Sequence, residues 1–170
     1  MRFSIITVSD SCSNGTAVDK SGPLLVELIR ESEKLKEAPQ VSGPHLIPDE
    51  KEEIVKILRS LCGECDVIIT TGGTGWAPRD VTPEATNEVI ERRCGGLETA
   101  IHVRSLQITP FAALSRLSAG IFQKTLIVNF PGSAKAVKEC WEVLETVVDH
   151  GVSLLIEADQ SQVHKKIQSS

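Results

Sequence analysis

Strand-like runs alternate with helical patterns along this chain, and that alternation limits the folds open to it. Residues 3–9, 66–70 and 125–130 are short, β-branched and almost continuously apolar. Strands of that kind are buried on both faces, so they need cover on both sides. The cover is visible between them. Leu24, Leu25, Leu28 and Ile29 form one helical stripe, and Ile54, Val55, Ile57, Leu58 and Leu61 form another. Val137, Cys140, Trp141, Leu144 and Val148 form a third at i, i+3, i+4 spacing. The expected class is α/β: three layers, a mostly parallel sheet with helices on both faces. A further strand within 40–47 contains Pro44 and belongs nearer an edge.

The 170 residues, 41% of them apolar, suit one domain with its own core. We place it at residues 1–158. Residues 159–170 are polar and aperiodic, and read as a mobile tail or the start of a linker.

Helix boundaries follow from local chemistry. Ser21-Gly22-Pro23 opens one helix, and charged residues 31–38 fray beyond it. Asp49 with Glu52 resembles a capping box for the next. Thr82 is the expected cap of a third, with Pro83 in its first turn, Arg92 and Arg93 in its last, and Gly95-Gly96 as its stop. Residues 97–106 restart as helix, and 109–123 read as short strands or an irregular hairpin.

The chemistry concentrates in Thr70-Thr71-Gly72-Gly73-Thr74-Gly75-Trp76-Ala77-Pro78-Arg79-Asp80-Val81-Thr82, between a strand and a helix. Three glycines in four positions let backbone N–H groups reach a ligand without Cβ obstruction. N–H groups backed by a helix N-terminus bind phosphate. Arg79 adds a cation and Asp80 a potential metal ligand. The loop matches neither common nucleotide fingerprint. The residues alone therefore give an anion site on an α/β scaffold. In such sheets ligands bind beyond the carboxyl ends of the strands. Ser9-Asp10-Ser11, Thr71 to Asp80 and Asn129 to Ser133 all follow strands, so they are expected on one rim.

Composition excludes other classes. Net charge is −5, with 18 basic and 23 acidic residues and no basic-aromatic stripe, which argues against nucleic acid. No apolar run has the length of a membrane span, so no direct membrane insertion is expected. With Met1-Arg2 leading straight into a strand, the expectation is a soluble cytosolic protein. Cys12, Cys62, Cys65, Cys94 and Cys140 are irregularly spaced, as reduced thiols are. Cys62-Gly63-Glu64-Cys65 ends a helix rather than starting one, and reads as packing. His45, His102, His150 and His164 lie in no motif.

The run Thr71-Gly-Gly-Thr-Gly-x-x-Pro-Arg-Asp-Val-Thr-Pro-Glu-Ala-Thr86 resembles the motif of the molybdopterin adenylyltransferase family, which includes Mog-type enzymes, MoaB proteins and the G domain of gephyrin. Thr7-Val8-Ser9-Asp10-Ser11, Pro48-Asp49-Glu50, Thr109-Pro110 with Leu114-Ser115-Arg116, and Asn129-Phe130-Pro131-Gly132 agree in order. The likeness spans roughly residues 3 to 155. It implies the same α/β fold and transfer of AMP from ATP to the terminal phosphate of molybdopterin, releasing pyrophosphate. Asp49 and Asp80 match its essential carboxylates, as catalytic residues and Mg²⁺ ligands. Thr71, Gly72, Gly73, Thr74 and Gly75 would cradle phosphate, and Ser115 would contact the pterin. Asn129, Pro131 and Gly132 match its nucleotide-side turn. Ser9 and Asp10 are weaker substrate candidates on the same rim. The likeness also implies a homotrimer and a metal-insertion domain or protein downstream. Its alternative is a molybdopterin-binding or self-associating scaffold domain with little turnover.

Overall fold

The structure, a computed structural model, describes residues 1–157. The expectation for residues 159–170 lies outside them. The chain runs β1 (Arg2–Val8), α1 (Asp10–Ser13), α2 (Ser21–Arg30), β2 (Gln40–Ile47), α3 (Lys51–Leu61), β3 (Val67–Thr71), α4 (Thr82–Val89), β4 (Arg92–Arg93) and α5 (Gly95–Leu106). It continues through a 3₁₀ turn (Pro110–Leu114), β5 (Ala119–Phe122), β6 (Thr125–Phe130) and α6 (Ala134–Leu144). Helical backbone resumes over residues 148–157.

The strands form one sheet in the order β2-β1-β3-β6-β5-β4. β2, β1, β3 and β6 are parallel, while β5 runs antiparallel to both β6 and β4. The two-residue alternation of a strand divides the core. Phe3, Ile5, Val67, Ile69, Val128 and Phe130 face one layer with Leu25 and Ile29 of α2, Ile101 of α5 and Val137, Cys140, Trp141 and Leu144 of α6. Ile6, Val8, Ile68 and Ile127 face the opposite layer with Ile54 and Leu58 of α3 and Ala85 and Val89 of α4. Each such side chain contributes roughly 1.5–3 kcal/mol. The three layers expected from the alternation are present, and Pro44 lies in the edge strand β2.

Several local expectations need correction. α4 ends at Val89, so Arg92 and Arg93 do not complement its dipole. They form β4, and Arg93 pairs with Glu98 at 2.9 Å. Gly95 and Gly96 do not stop a helix; they begin α5. Asp49 does not cap α3, whose N-cap position is Glu50 with no side-chain bond. Thr82 does not cap α4: it is the first helical residue, and its hydroxyl has no hydrogen-bond partner. Lys20 is the N-cap position of α2, and Asp19 just before it accepts the Ser21 and Gly22 N–H groups through Oδ1 at 3.1 and 3.0 Å. The charged segment after α2 is tethered rather than frayed. Lys34 pairs with Glu145, the Lys36 N–H donates to Asp149, and Leu35 is buried.

Candidate active site

The parallel strands β1, β3 and β6 end side by side, and the loops that leave them meet on one rim. Gly72 and Gly73 sit at the centre with φ of +103° and +62°, where an L side chain is strained. A Cβ on Gly72 would collide with the Val8 carbonyl oxygen, and one on Gly73 with the Thr82 hydroxyl. The same missing Cβ leaves space beside Asp49 Oδ1. Glycine therefore lets the β3 loop lie across the rim, between two cavities of about 450 and 500 Å³.

The first cavity is walled by Phe111, Leu114, Leu117 and Ala136, with Ser115, His102 and Glu139 as polar groups. The Ser115 hydroxyl is buried and has no partner in the protein. Phe111 is 76% exposed, an unusual position for a phenyl ring. The second cavity is more polar and includes Ser9, Asp19, Lys20, Asp49 and Thr71. Gly72, Gly73, Asp80, Gly132 and Ser133 line both. Ser133 caps α6 by accepting the Ala136 N–H at 3.1 Å, which aims that helix N-terminus at the saddle.

The carboxylates are tightly organised. Asp49 Oδ2 accepts the Asp10 N–H at 2.7 Å, and Asp10 Oδ1 accepts the Asp49 N–H at 3.0 Å. Arg79 makes two 2.9 Å bonds to Asp10 and one of 2.9 Å to Glu50. Asp80 is not among its partners. Arg79, with help from the Asp49 N–H, holds the Asp10 carboxyl below the usual carboxylate range. Asp49 is the reverse case. Partial burial pushes its carboxyl up, and the Asp10 and Asp80 charges add to that push. A hard cation between Asp49 and Asp80 would relieve the strain of that charge. Asp80 also closes its own loop, with Oδ2 accepting the Ala77 N–H at 2.8 Å.

Most expected site residues converge here: Thr71 to Gly75, Ser9, Asp49, Asp80, Ser115, Pro131 and Gly132 line the cavities. Asp10 braces Asp49 from behind. Asn129 is a correction. It is fully buried, donates to the Thr70 and Thr86 hydroxyls at 2.9 and 2.8 Å, and accepts the Ser118 N–H at 3.2 Å. It fastens β6 to its neighbours beneath the rim. The Cys62 and Cys65 thiols are packed at the opposite end of β3, where burial pushes them up to about 11 and about 12.

Two site residues had no role assigned from the sequence. Arg116 donates through Nε to the Gly75 carbonyl at 2.7 Å, and also bonds the Asp80 carbonyl and Glu84. Its own N–H donates to the Thr74 carbonyl at 2.8 Å. It thus clamps both ends of the segment from Thr74 to Asp80. His102, on α5, reaches the Ser115 carbonyl at 3.0 Å. Arg116 was marked only as part of the Leu114-Ser115-Arg116 motif, with no role assigned, and nothing local marks His102.

Known proteins are similar to this chain. The chain is 46% identical over 155 residues to the molybdenum cofactor synthesis protein cinnamon of Drosophila melanogaster, covering 90% of this chain but 25% of that protein. It is 38% identical over 168 residues to the molybdopterin adenylyltransferase of Helicobacter pylori strain J99, covering 98% of this chain and 93% of the other. The crystal structure of the molybdopterin biosynthesis enzyme MoaB from Thermus thermophilus superposes with a TM-score of 0.81 at 40% identity, over 91% of this chain and 95% of that one. Residues 4–150 match the family described as a probable molybdopterin binding domain, and the chain belongs to that family.

Proposed function

We propose that this chain adenylylates molybdopterin, transferring AMP from ATP to the pterin's terminal phosphate. The observation that carries this reading is the pair of cavities with a common wall of Gly72, Gly73, Asp80 and Gly132. Two substrates that exchange a phosphoryl-linked group need two pockets and one meeting point. The cavity with the Phe111, Leu114 and Leu117 wall suits a flat pterin, and the Ser115 hydroxyl supplies a free donor and acceptor there. The polar cavity suits the nucleotide. The reacting phosphates then meet over the Gly72-Gly73 backbone.

The step is an in-line displacement. A terminal phosphate oxygen of molybdopterin attacks the α-phosphorus of ATP, the bond from that phosphorus to the bridging oxygen breaks, and pyrophosphate leaves. Positioning and charge neutralisation account for most of such catalysis. Backbone N–H groups of the glycine loop and the α6 N-terminus face the phosphates. Asp49 and Asp80 would hold Mg²⁺, which supplies neutralisation of phosphate charge when bound. Among the described residues no group of three or more His, Cys, Asp or Glu could hold a metal. Two carboxylates with the remaining ligands from phosphate and water is how Mg²⁺ is usually held. Arg79 holds Asp10, which braces Asp49, and Arg116 bonds the Asp80 backbone carbonyl.

The working unit is proposed to be residues 1–158, as a cytosolic homotrimer passing its product to a metal-insertion domain or protein. Exposed Val103 and Leu106 supply apolar surface for association. Among the described residues no helix is long and apolar enough to cross a membrane. The deciding assay is pyrophosphate release with ATP and molybdopterin. Release that needs both substrates and a divalent cation supports the reading. Tight pterin binding with no ATP turnover would replace it with the scaffold reading.

A further inference from the structure

His102 lies between two backbone carbonyls. Nδ1 is 3.1 Å from the Glu98 oxygen, one turn back along α5, and Nε2 is 3.0 Å from the Ser115 oxygen. A carbonyl oxygen only accepts. A neutral imidazole has one N–H, so it satisfies one of the two and sets a ring lone pair against the other. Only the imidazolium donates to both. We propose that His102 works as an imidazolium clamp that fixes Ser115 at the wall of the first cavity, and that occupation of that cavity by a phosphate-bearing pterin is favoured by the protonated ring.

The surroundings give the charge a purpose. Among the described residues lining this cavity there is no lysine or arginine, and the ionisable groups besides His102 are Asp80 and Glu139. An anionic ligand entering there meets two carboxylates and one histidine. The other charges near the ring are committed elsewhere. On α5, the Glu98 carboxylate is taken by Arg93 and the Ala119 N–H, and Arg104 pairs with Glu142 of α6. After the 3₁₀ turn, Arg116 points to the Gly75 and Asp80 carbonyls and to Glu84. The imidazolium is therefore the cavity's own positive charge, and it acts through Ser115, whose backbone it holds and whose buried hydroxyl has no partner in the protein. His102 is a positioning residue on this account, and its role in turnover rests on the proposed adenylylation.

The test has two readouts. In wild type, KM for molybdopterin should rise about tenfold once the pH is high enough to remove the imidazolium proton, with little change in kcat. The His102→Gln variant should lose that pH dependence of KM while keeping kcat within about threefold. Independently of activity, ring ¹⁵N spectra of wild type should show Nδ1 and Nε2 both carrying protons that exchange slowly with water, each held by its carbonyl. An unchanged KM profile in the variant, or a single neutral tautomer throughout, would overturn the proposal. If no turnover is seen with any variant, the functional reading fails alone, and the ¹⁵N signature still decides the clamp.

Discussion

Asp10 and Asp49 hold each other through crossed bonds, each carboxylate accepting the other's backbone N–H, at 2.7 and 3.0 Å. Arg79 neutralises Asp10 and leaves Asp49 partly buried beside a second carboxylate, Asp80. Charge at Asp49 is thus unfavourable to the fold. Its folded pKa is raised, so its contribution is most favourable below the usual carboxylate range and is lost as pH rises through the folded value. Asp49→Asn keeps an oxygen for the Asp10 N–H and removes the charge. Without divalent cation at neutral pH it should melt about 1–2 °C higher than wild type, a small gain because much of the group is in water. The gain should vanish in acid, and turnover should fall at least ~100-fold. A lower melting temperature at neutral pH would show that the carboxylate is structural.

Asp80→Asn tests the other carboxylate. An asparagine oxygen can still accept the Ala77 N–H, so the loop should persist. Turnover should drop at least ~100-fold, about 2.7 kcal/mol, with pterin affinity retained. Normal turnover with unchanged Mg²⁺ dependence would move the chemistry elsewhere on the rim.

Gly72→Ala should be severe. The new methyl must sit at φ +103° against the Val8 carbonyl, which belongs to a central strand and cannot retreat. A cost of about 3 kcal/mol, seen as a fall of roughly 6–12 °C in calorimetry, is expected. A change below about 2 °C would mean the saddle can re-form without glycine.

Glu98 predicts part of the acid limb of stability. Burial pushes its carboxyl up, but Arg93 and the Ala119 N–H outweigh that and leave it below the usual range. Its contribution is therefore present above the ordinary glutamate range and lost as pH falls through the lowered value. Glu98→Gln should be less stable than wild type at neutral pH, and the two unfolding curves should converge in acid. Parallel curves across that range would exclude the linkage.

Legibility followed sequence distance. The three layers, the central place of β3 and the edge place of β2 were written in runs of a few residues, and so was the glycine loop. The capping role assigned to Asp49 was mistaken because an aspartate before a helix looks the same whether it serves the helix or a partner 39 residues away. Thr82 misled similarly: a threonine before Pro-Glu is a cap signal, yet here it is inside the first turn. Asn129 shared a motif with rim residues and still turned inward, since it lies within β6, a strand covered by helices on both faces. Arg116 and His102 have partners reached only after the chain has folded back.

The chain has two tryptophans in opposite settings. Trp141 is 3% exposed, edge-on to Phe3 with ring centroids 6.0 Å apart. Trp76 is 70% exposed, between the cavity residues Gly75 and Asp80. Indole emission moves to longer wavelength in water, and dissolved iodide quenches only rings it can touch. One indole therefore reports the core and the other the rim of the groove. Arrival of a ligand at the glycine loop can be followed in the protein's own fluorescence, by the share of emission that iodide no longer reaches.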